Sequence, residues 1–164
     1  PDALDVKKEG TLWKHHLYAA DDGLFPAKLN TWETQVLEEE ISRPGFVGWL
    51  RNTDRKAWAL RIPYEVGGEG WKSQYPDFLI VREVKGKLTV DALEPHDITR
   101  PGSVEKADHL ARFAQKHGDD FGRIELIIVD DGVAKRLNLN DHVWRDRVMG
   151  VKTVSELSQL LKMA

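Results

Sequence analysis

Two apolar runs with a short polar turn between them form the most regular pattern in the chain, near its middle. Residues Tyr75 to His96 read YPDFLIVREVKGKLTVDALEPH, with a β-branched and aromatic run at 78–81 and a period of two from Lys87 to Leu93. Lys85-Gly86 supplies the turn, because glycine adopts a positive φ without steric cost. This pattern predicts a β-hairpin over residues 75–96.

A helix is predicted before the hairpin, from Asn30 to Ser42. Asn30 is a favourable N-cap, Glu33 stands at the third helical position as in a capping box, and the proline at position 44 ends the pattern. Apolar residues at 36, 37 and 41 give this helix one face to bury. Glu33 therefore has a structural role as a cap, and its place one turn into the helix also lets it reach a neighbouring site.

Three more helices are predicted after the hairpin. Ser103 to His117 carries a stripe of small apolar residues that allows close packing on a sheet, and Gly118 is a suitable C-cap. Residues 141–147 and 153–163 are predicted as helices near the C-terminal end, and the second of them opens with a capping box.

Strand patterns occupy three further segments. Phe46 to Arg51 and Ala57 to Pro63 are separated by a polar turn at 52–56, and Arg123 to Val129 is a nearly continuous apolar run, typical of a strand buried on both faces. Residues 67–70 are predicted as a loop that lacks the pattern of a phosphate-binding loop. The helix that precedes residue 123 implies a crossover, so this last strand is expected to lie parallel to an earlier one.

Together these patterns predict one α/β domain over residues 1–164, with a core at about 30–130. The elements follow the order αβββαβ, which places three antiparallel strands and one parallel crossover strand in a mixed sheet flanked by helices.

Composition narrows the class of protein. With 164 residues, 41% hydrophobic and 31% charged, the chain is long enough to bury a core and has an ordinary globular composition. It has no cysteine, which is compatible with the cytoplasm, and no apolar run approaches the roughly 20 residues of a membrane helix. The net charge of −3 counts against a dedicated nucleic-acid binder. Because the chain begins at Pro1 rather than methionine, we expect a domain of a larger protein.

Acidic residues stand at one end of the predicted hairpin. If Val84 pairs with Lys87, counting outward places Asp77 opposite Glu94, and a register three residues shorter places Asp77 opposite Asp91 instead. Two neighbouring carboxylates repel each other unless a proton or a cation lies between them. Oxygen ligands of this kind suit Mg²⁺ or Mn²⁺. The hairpin thus predicts a divalent-metal site, with an exposed, solubilising pair of acids as the alternative.

An acid on the first helix, a Pro-Asp pair that opens a strand and a second acid on the next strand occur in one order along the chain. The segments that carry this order are Glu33, residues 49–52 and 59–64, Tyr75-Pro76-Asp77-Phe78, residues 90–96 and Lys106. The run resembles the PD-(D/E)XK nuclease superfamily, and more closely the C-terminal endonuclease domain of helicase–nuclease polypeptides such as the restriction subunits of type III systems. The resemblance implies a restriction-endonuclease-like fold that cleaves DNA with Mg²⁺ or Mn²⁺, joined to a helicase or ATPase domain in a restriction, defence or DNA-processing system.

The resemblance also implies roles for individual residues. Asp77 is the first metal ligand, Asp91 or Glu94 is the second, and Glu33 supports the metal site. The third motif departs from the family pattern, because Glu83-Val84-Lys85 fits it literally but lies at the hairpin turn, roughly 20 Å along an extended strand from Asp77.

Two residues can replace the motif lysine. Lys106 on the following helix is one, and His96, two positions after Glu94, is the other, as a contact to phosphate or water. If neither serves, the chain is an inactive nuclease-like module that binds DNA or a partner protein. A small-molecule metallohydrolase is disfavoured, because the histidines do not cluster at ligand spacing.

Overall fold

A computed structural model describes residues 9–66, 68 and 70–164. Residues 1–8 of the predicted domain, and Gly67 and Glu69 of the predicted loop, lie outside this range. The strands in the described part are β1 Thr11–Lys14, β2 Leu24–Ala27, β3 Phe46–Arg51, β4 Ile62–Val66, β5 Gly70–Gln74, β6 Phe78–Val84, β7 Lys87–Pro95, β8 Ile124–Asp130 and β9 Val133–Asn138. Its α-helices are α1 Thr31–Ile41, α2 Ser103–His117, α3 His142–Gly150 and α4 Val154–Lys162.

A five-stranded mixed sheet forms the centre of the fold, with the strand order β3-β6-β7-β8-β9. The β3–β6 and β6–β7 pairs are antiparallel, and β7 and β8 are parallel because α2 forms the crossover between them. The predicted mixed sheet of three antiparallel strands and a parallel crossover strand is therefore confirmed. β1–β2 and β4–β5 form two separate two-stranded sheets.

Helices cover both faces of the central sheet. On one face, Val36 and Leu37 of α1 are buried in a cluster with Trp49, Phe78 and Leu93. On the other face, α2 and α4 bury their apolar residues against β7 and β8 in a second cluster. None of the described helices is long and apolar enough to cross a membrane.

Local capping signals agree with the observed helix ends. Asn30 and Glu33 form the predicted capping box of α1, and Thr153 and Glu156 form that of α4. α2 has the predicted bounds with Gly118 as its C-cap. α3 continues to Gly150, three residues beyond the predicted end.

The hairpin has the register that its turn predicts. Val84 pairs with Lys87, and the turn residues Lys85 and Gly86 have φ values of 51° and 76°. The register runs to the Phe78–Leu93 pair, and one step beyond it Asp77 falls opposite Glu94, as predicted. The shorter register is wrong, because Asp91 pairs with Ile80.

The predicted strand at Ala57–Pro63 is wrong over most of its length. Residues 57 and 58 form a turn, and β4 begins at Ile62 and pairs with β5 outside the central sheet. The Asn52 side chain explains this difference, because its amide donates to the Leu60 carbonyl at 2.9 Å and its oxygen accepts from the Leu60 N–H at 2.8 Å. These bonds occupy backbone groups that a sheet would otherwise pair.

Strand β9 was missing from the prediction. It pairs with β8 through a hairpin whose two turn residues, Asp131 and Gly132, have φ values of 49° and 75°. Asp-Gly between two strand-like runs is a strong hairpin signal, and it stands in the sequence here.

Candidate functional site

A cavity of about 630 Å³ lies where the ends of β3, β6 and β7 meet the N-termini of α1 and α2. Five of the six residues singled out from the sequence line it, namely Glu33, Asp77, Glu94, His96 and Lys106. The others that line it are Asn30, Thr31, Trp32, Arg51, Pro95, Asp97 and Arg100. These five candidate residues therefore lie together at one place in the fold.

The hairpin brings Asp77 and Glu94 to the same end of the sheet. Asp77 immediately precedes β6 and Glu94 lies near the end of β7, so they continue the ladder beyond the Phe78–Leu93 pair. Side chains opposite each other on paired strands project to the same face. The two carboxylates are therefore neighbours because of the backbone register.

Arg51, at the end of β3, contacts two acids of the cavity, Glu33 and Asp77. Its Nη1 lies 3.0 Å from Glu33 Oε2, and its Nη2 lies 3.1 Å from Glu33 Oε1 and 3.3 Å from Asp77 Oδ1. The guanidinium also lies over the Phe78 ring, 5.3 Å from its centroid. The sequence analysis included Arg51 in a motif but assigned it no role, because its partners are 18 and 26 positions away in the chain.

The electrostatic balance of the cavity shows most clearly at Asp77. Burial raises the pKa of Asp77 to about 8, and the nearby charges of Glu94 and Glu33 also raise it, whereas Arg51 and Arg100 lower it. One guanidinium in contact does not offset three carboxylates, so Asp77 favours a proton or a cation.

Glu94, His96 and Ser103 form a chain of buried polar contacts. Glu94 Oε1 lies 3.4 Å from His96 Nδ1, and His96 Nε2 lies 2.9 Å from Ser103 Oγ. Glu94, His96 and Ser103 are only 7%, 6% and 1% exposed. Within the described part of the protein, Glu94 Oε2 is buried and has no hydrogen-bond partner.

Lys106 lines the same cavity from the first turn of α2 and is half-buried. No ion pair joins it to another described residue. Lys106 and His96, the two candidates to replace the motif lysine, therefore line the same cavity as Asp77 and Glu94.

Asp91, the other candidate acid of β7, does not line the cavity. It accepts hydrogen bonds from the Arg123 backbone N–H at 2.8 Å and from Arg123 Nε and Nη2 at 2.9 and 2.6 Å. Asp91 and Glu94 are three residues apart on a strand, and side chains at odd spacing point to opposite faces. The expectation that Asp91 could lie beside Asp77 as a metal ligand is therefore wrong. Of the two acids, only Glu94 lines the cavity with Asp77.

The literal motif Glu83-Val84-Lys85 is exposed at the turn end of the hairpin, the end farther from Asp77. Its expected separation from the acids is confirmed. In the residues that the structure describes, no group of three or more His, Cys, Asp or Glu side chains is arranged to hold a metal ion.

Residues 14–162 match the sequence model of the YagJ family. The chain belongs to the YagJ family. Protein YagJ of Escherichia coli (strain K12) is 37% identical over 154 residues, an alignment that covers 92% of this chain and 63% of that protein. The chain thus spans less than two thirds of the length of its YagJ relative. No solved structure gives a significant match. All residues that line the cavity lie inside the range matched to YagJ.

Proposed function

We propose that this chain is a divalent-metal-dependent endonuclease domain of the PD-(D/E)XK type, which hydrolyses phosphodiester bonds in DNA. The observation that carries the proposal is the convergence of Glu33, Asp77 and Glu94 in one cavity, in the order that the resemblance implies. His96 and Lys106 line the same cavity and supply candidates for the cation of the third motif.

The chemistry of the donor set fits a hard divalent ion. Glu94 Oε2 is buried without a partner among the described residues, and the pKa of Asp77 is raised by burial and by the neighbouring acids. Mg²⁺ is commonly held by one or two carboxylates together with water and substrate phosphate. Asp77 and Glu94 would therefore hold the ion, although no cluster of three protein ligands is preformed in the described residues.

The proposal assigns roles to the metal ion and to the residues around it. A bound Mg²⁺ or Mn²⁺ would stabilise charge on the phosphate and lower the pKa of a water molecule. Glu33 holds the Arg51 guanidinium through two contacts, and this fixes a positive charge beside Asp77. Lys106 or His96, which line the same cavity, would contact the phosphate or the attacking water.

The wider setting of the enzyme follows from the resemblance. DNA is the proposed partner, and a helicase or ATPase domain in the same polypeptide is the proposed neighbour, within a restriction, defence or DNA-processing system of the cytoplasm. The resemblance supports this setting through the Pro-Asp motif at 76–77 and the acids at 33 and 94.

Cleavage of supercoiled plasmid in Mg²⁺ or Mn²⁺ tests the proposal. We expect the wild type to nick the plasmid only with a divalent ion, and Asp77→Asn to abolish nicking. Asp108→Asn is the matched control, because Asp108 pairs with Arg112 on the surface of α2 and does not line the cavity. Nicking that survives Asp77→Asn would contradict the proposed site.

The second candidate is a nuclease-like module that binds DNA or a partner protein without cleaving DNA. The contacts of Arg51 with Glu33 and Asp77 favour it, because an internal cation already neutralises part of the acidic charge. DNA binding in a mobility-shift assay, with no cleavage in Mg²⁺ or Mn²⁺, would support this candidate over the nuclease.

A further inference from the structure

The hydroxyl group of Ser103 donates its proton to the backbone carbonyl of Arg100. Ser103 Oγ lies 2.5 Å from the carbonyl oxygen of Arg100. A carbonyl can only accept, and a serine hydroxyl has one proton to donate. The proton therefore lies between these two oxygens, and Ser103 has none left for another partner.

This direction determines the tautomer of His96. Ser103 Oγ also lies 2.9 Å from His96 Nε2, and since its own proton is committed, it must accept here. Nε2 thus carries a hydrogen, and in a neutral imidazole the lone pair is then on Nδ1.

The lone pair of Nδ1 faces another acceptor. Nδ1 lies 3.4 Å from Glu94 Oε1, and an ionised carboxylate has no proton to donate. Both side chains are more than nine-tenths buried, so water does not freely separate them. With the imidazole neutral and the carboxylate ionised, these two acceptors need a positive species between them, either a proton on Nδ1 or a metal ion.

The distance between Glu94 and His96 suits a metal ion. A separation of 3.4 Å is longer than the usual range of about 2.7–3.2 Å for a hydrogen bond. Two adjacent ligands that each lie about 2.0–2.2 Å from one ion are themselves roughly 3.0–3.4 Å apart. Glu94 Oε2, buried and without a partner among the described residues, is free to join the same site.

We infer that His96 ligates the metal ion through Nδ1 beside Glu94, with Ser103 as the residue that holds the imidazole in the ligating tautomer. Histidines that bind metals commonly donate their other ring N–H to a neighbour that fixes the tautomer and the ring orientation. Ser103, fixed at the start of α2, is that neighbour. The inference rests on the proposed function, since it concerns the ion in the same cavity. It places the ion between His96 and Glu94, because no group of three such side chains is preformed among the described residues.

The inference also specifies the class of metal. Carboxylates alone suit Mg²⁺ and Ca²⁺, whereas an imidazole ligand favours divalent transition metals. The site therefore binds Mn²⁺ more tightly than Mg²⁺, through one imidazole nitrogen and carboxylate oxygens.

Pulsed electron paramagnetic resonance of the Mn²⁺-loaded wild type is the direct test. We expect coupling of Mn²⁺ to an imidazole ¹⁴N nucleus, and His96 is the histidine that lines the cavity among the described residues. A Mn²⁺ spectrum without nitrogen coupling would overturn the inference and indicate a proton between His96 and Glu94. This measurement requires no variant, so it holds even if a substitution prevents folding.

Titration calorimetry with Mn²⁺ and with Mg²⁺ tests the role of each residue. We expect His96→Gln to weaken Mn²⁺ binding at least tenfold with a smaller effect on Mg²⁺, and Ser103→Ala to weaken Mn²⁺ binding about 10–100-fold. Ser103→Thr keeps the hydroxyl and should restore binding. Equal losses for both ions, or no rescue by threonine, would contradict these assignments.

Asp77→Asn separates failure of this inference from failure of the proposed function. If Asp77→Asn weakens binding of both ions and His96→Gln weakens neither, the metal site stands and the histidine ligand is wrong. If the wild type binds neither ion, the proposed metal-dependent function fails as well.

Discussion

Two clusters of arginines and acids share helix α1 and strand β7, and they differ in how completely their charges are paired. The cavity cluster consists of Glu33, Asp77, Glu94 and Arg51. The buried network consists of the acids Glu39, Glu40, Asp91 and Glu125 and the arginines Arg43, Arg82, Arg123 and Arg136. Helix α1 and strand β7 each contribute acids to both clusters.

The buried network has as many arginines as acids, and its contacts are short. Arg123 Nη2 lies 2.6 Å from both Glu40 Oε2 and Asp91 Oδ2, and Arg136 Nη1 lies 2.8 Å from Glu40 Oε1. Burial alone would raise the pKa of Glu40, but the hydrogen bond and charge of Arg123, with Arg136, lower it below its usual value. The network therefore satisfies its own charges and needs no ligand.

The cavity cluster has three acids and one arginine, and its pKa shift has the opposite sign. Burial and the neighbouring acids raise the pKa of Asp77 to about 8, although Arg51 lies 3.3 Å away. Burial of an acid therefore does not by itself indicate that it is available for a ligand; incomplete pairing of its charge does.

The largest expected effect is on catalysis and separates the two acids of β7. Glu94→Gln should reduce the proposed metal-dependent cleavage by about 10³-fold, because it removes a carboxylate that we propose to hold the ion, and should leave folding intact. Asp91→Asn should instead lower thermal stability and leave the rate of cleavage largely unchanged, because Asp91 pairs with Arg123 outside the cavity. Plasmid cleavage and thermal melting measure both variants. Loss of cleavage in Asp91→Asn together with loss of stability in Glu94→Gln would contradict the assignment of these acids to different clusters.

The next largest expected effect is a loss of stability when a substitution disrupts the buried network. Arg123→Met should lower the free energy of unfolding by about 3–5 kcal/mol, because it leaves buried carboxylates without their partner. Urea denaturation measures this loss. Arg112→Met is the control, since Arg112 is 60% exposed and pairs only with Asp108 among described residues, so a change of less than about 1 kcal/mol is expected. Similar losses in both variants would contradict the structural role of the network.

A smaller effect depends on pH and belongs to Asp77. Because folding raises the pKa of Asp77 from 3.8 to about 8, the folded state holds a proton that the unfolded state releases, so stability falls as pH rises from about 4 to 8. Asp77→Asn removes this dependence. The variant should exceed the wild type by about 2 kcal/mol at pH 9 relative to the difference at pH 4, a value reduced by the 24% exposure of the side chain. Urea denaturation at both pH values measures it, and a constant difference would contradict the raised pKa.

The smallest effect concerns the literal motif at the hairpin turn. Glu83→Ala and Lys85→Asn should leave cleavage unchanged and alter stability by less than about 0.5 kcal/mol, because both side chains are exposed. Asparagine suits position 85, where φ is 51°. Plasmid cleavage again provides the measurement. A large loss of activity in either variant would place the third motif at the turn after all.

Signals within short segments predicted much of the fold and five of the residues that line the cavity. The caps at Asn30 and Thr153 predicted the starts of two helices, and the Lys85-Gly86 turn predicted the register that places Asp77 beside Glu94. The Asp131-Gly132 turn carries equally local information about β9, the strand that the prediction lacked.

The caps, the turns and the strand register could be predicted from the sequence, because each depends on residues a few positions apart whose backbone preferences act locally. Which acids are neutralised depends instead on contacts made in the folded protein. Arg123 meets Glu40 from 83 positions away, Arg136 meets Glu39 from 97 positions away, and Asn52 holds Leu60 out of the sheet. Whether a carboxylate is paired or available for a ligand depends on charges that approach it through the fold, and their distance in space has no counterpart in their spacing along the chain.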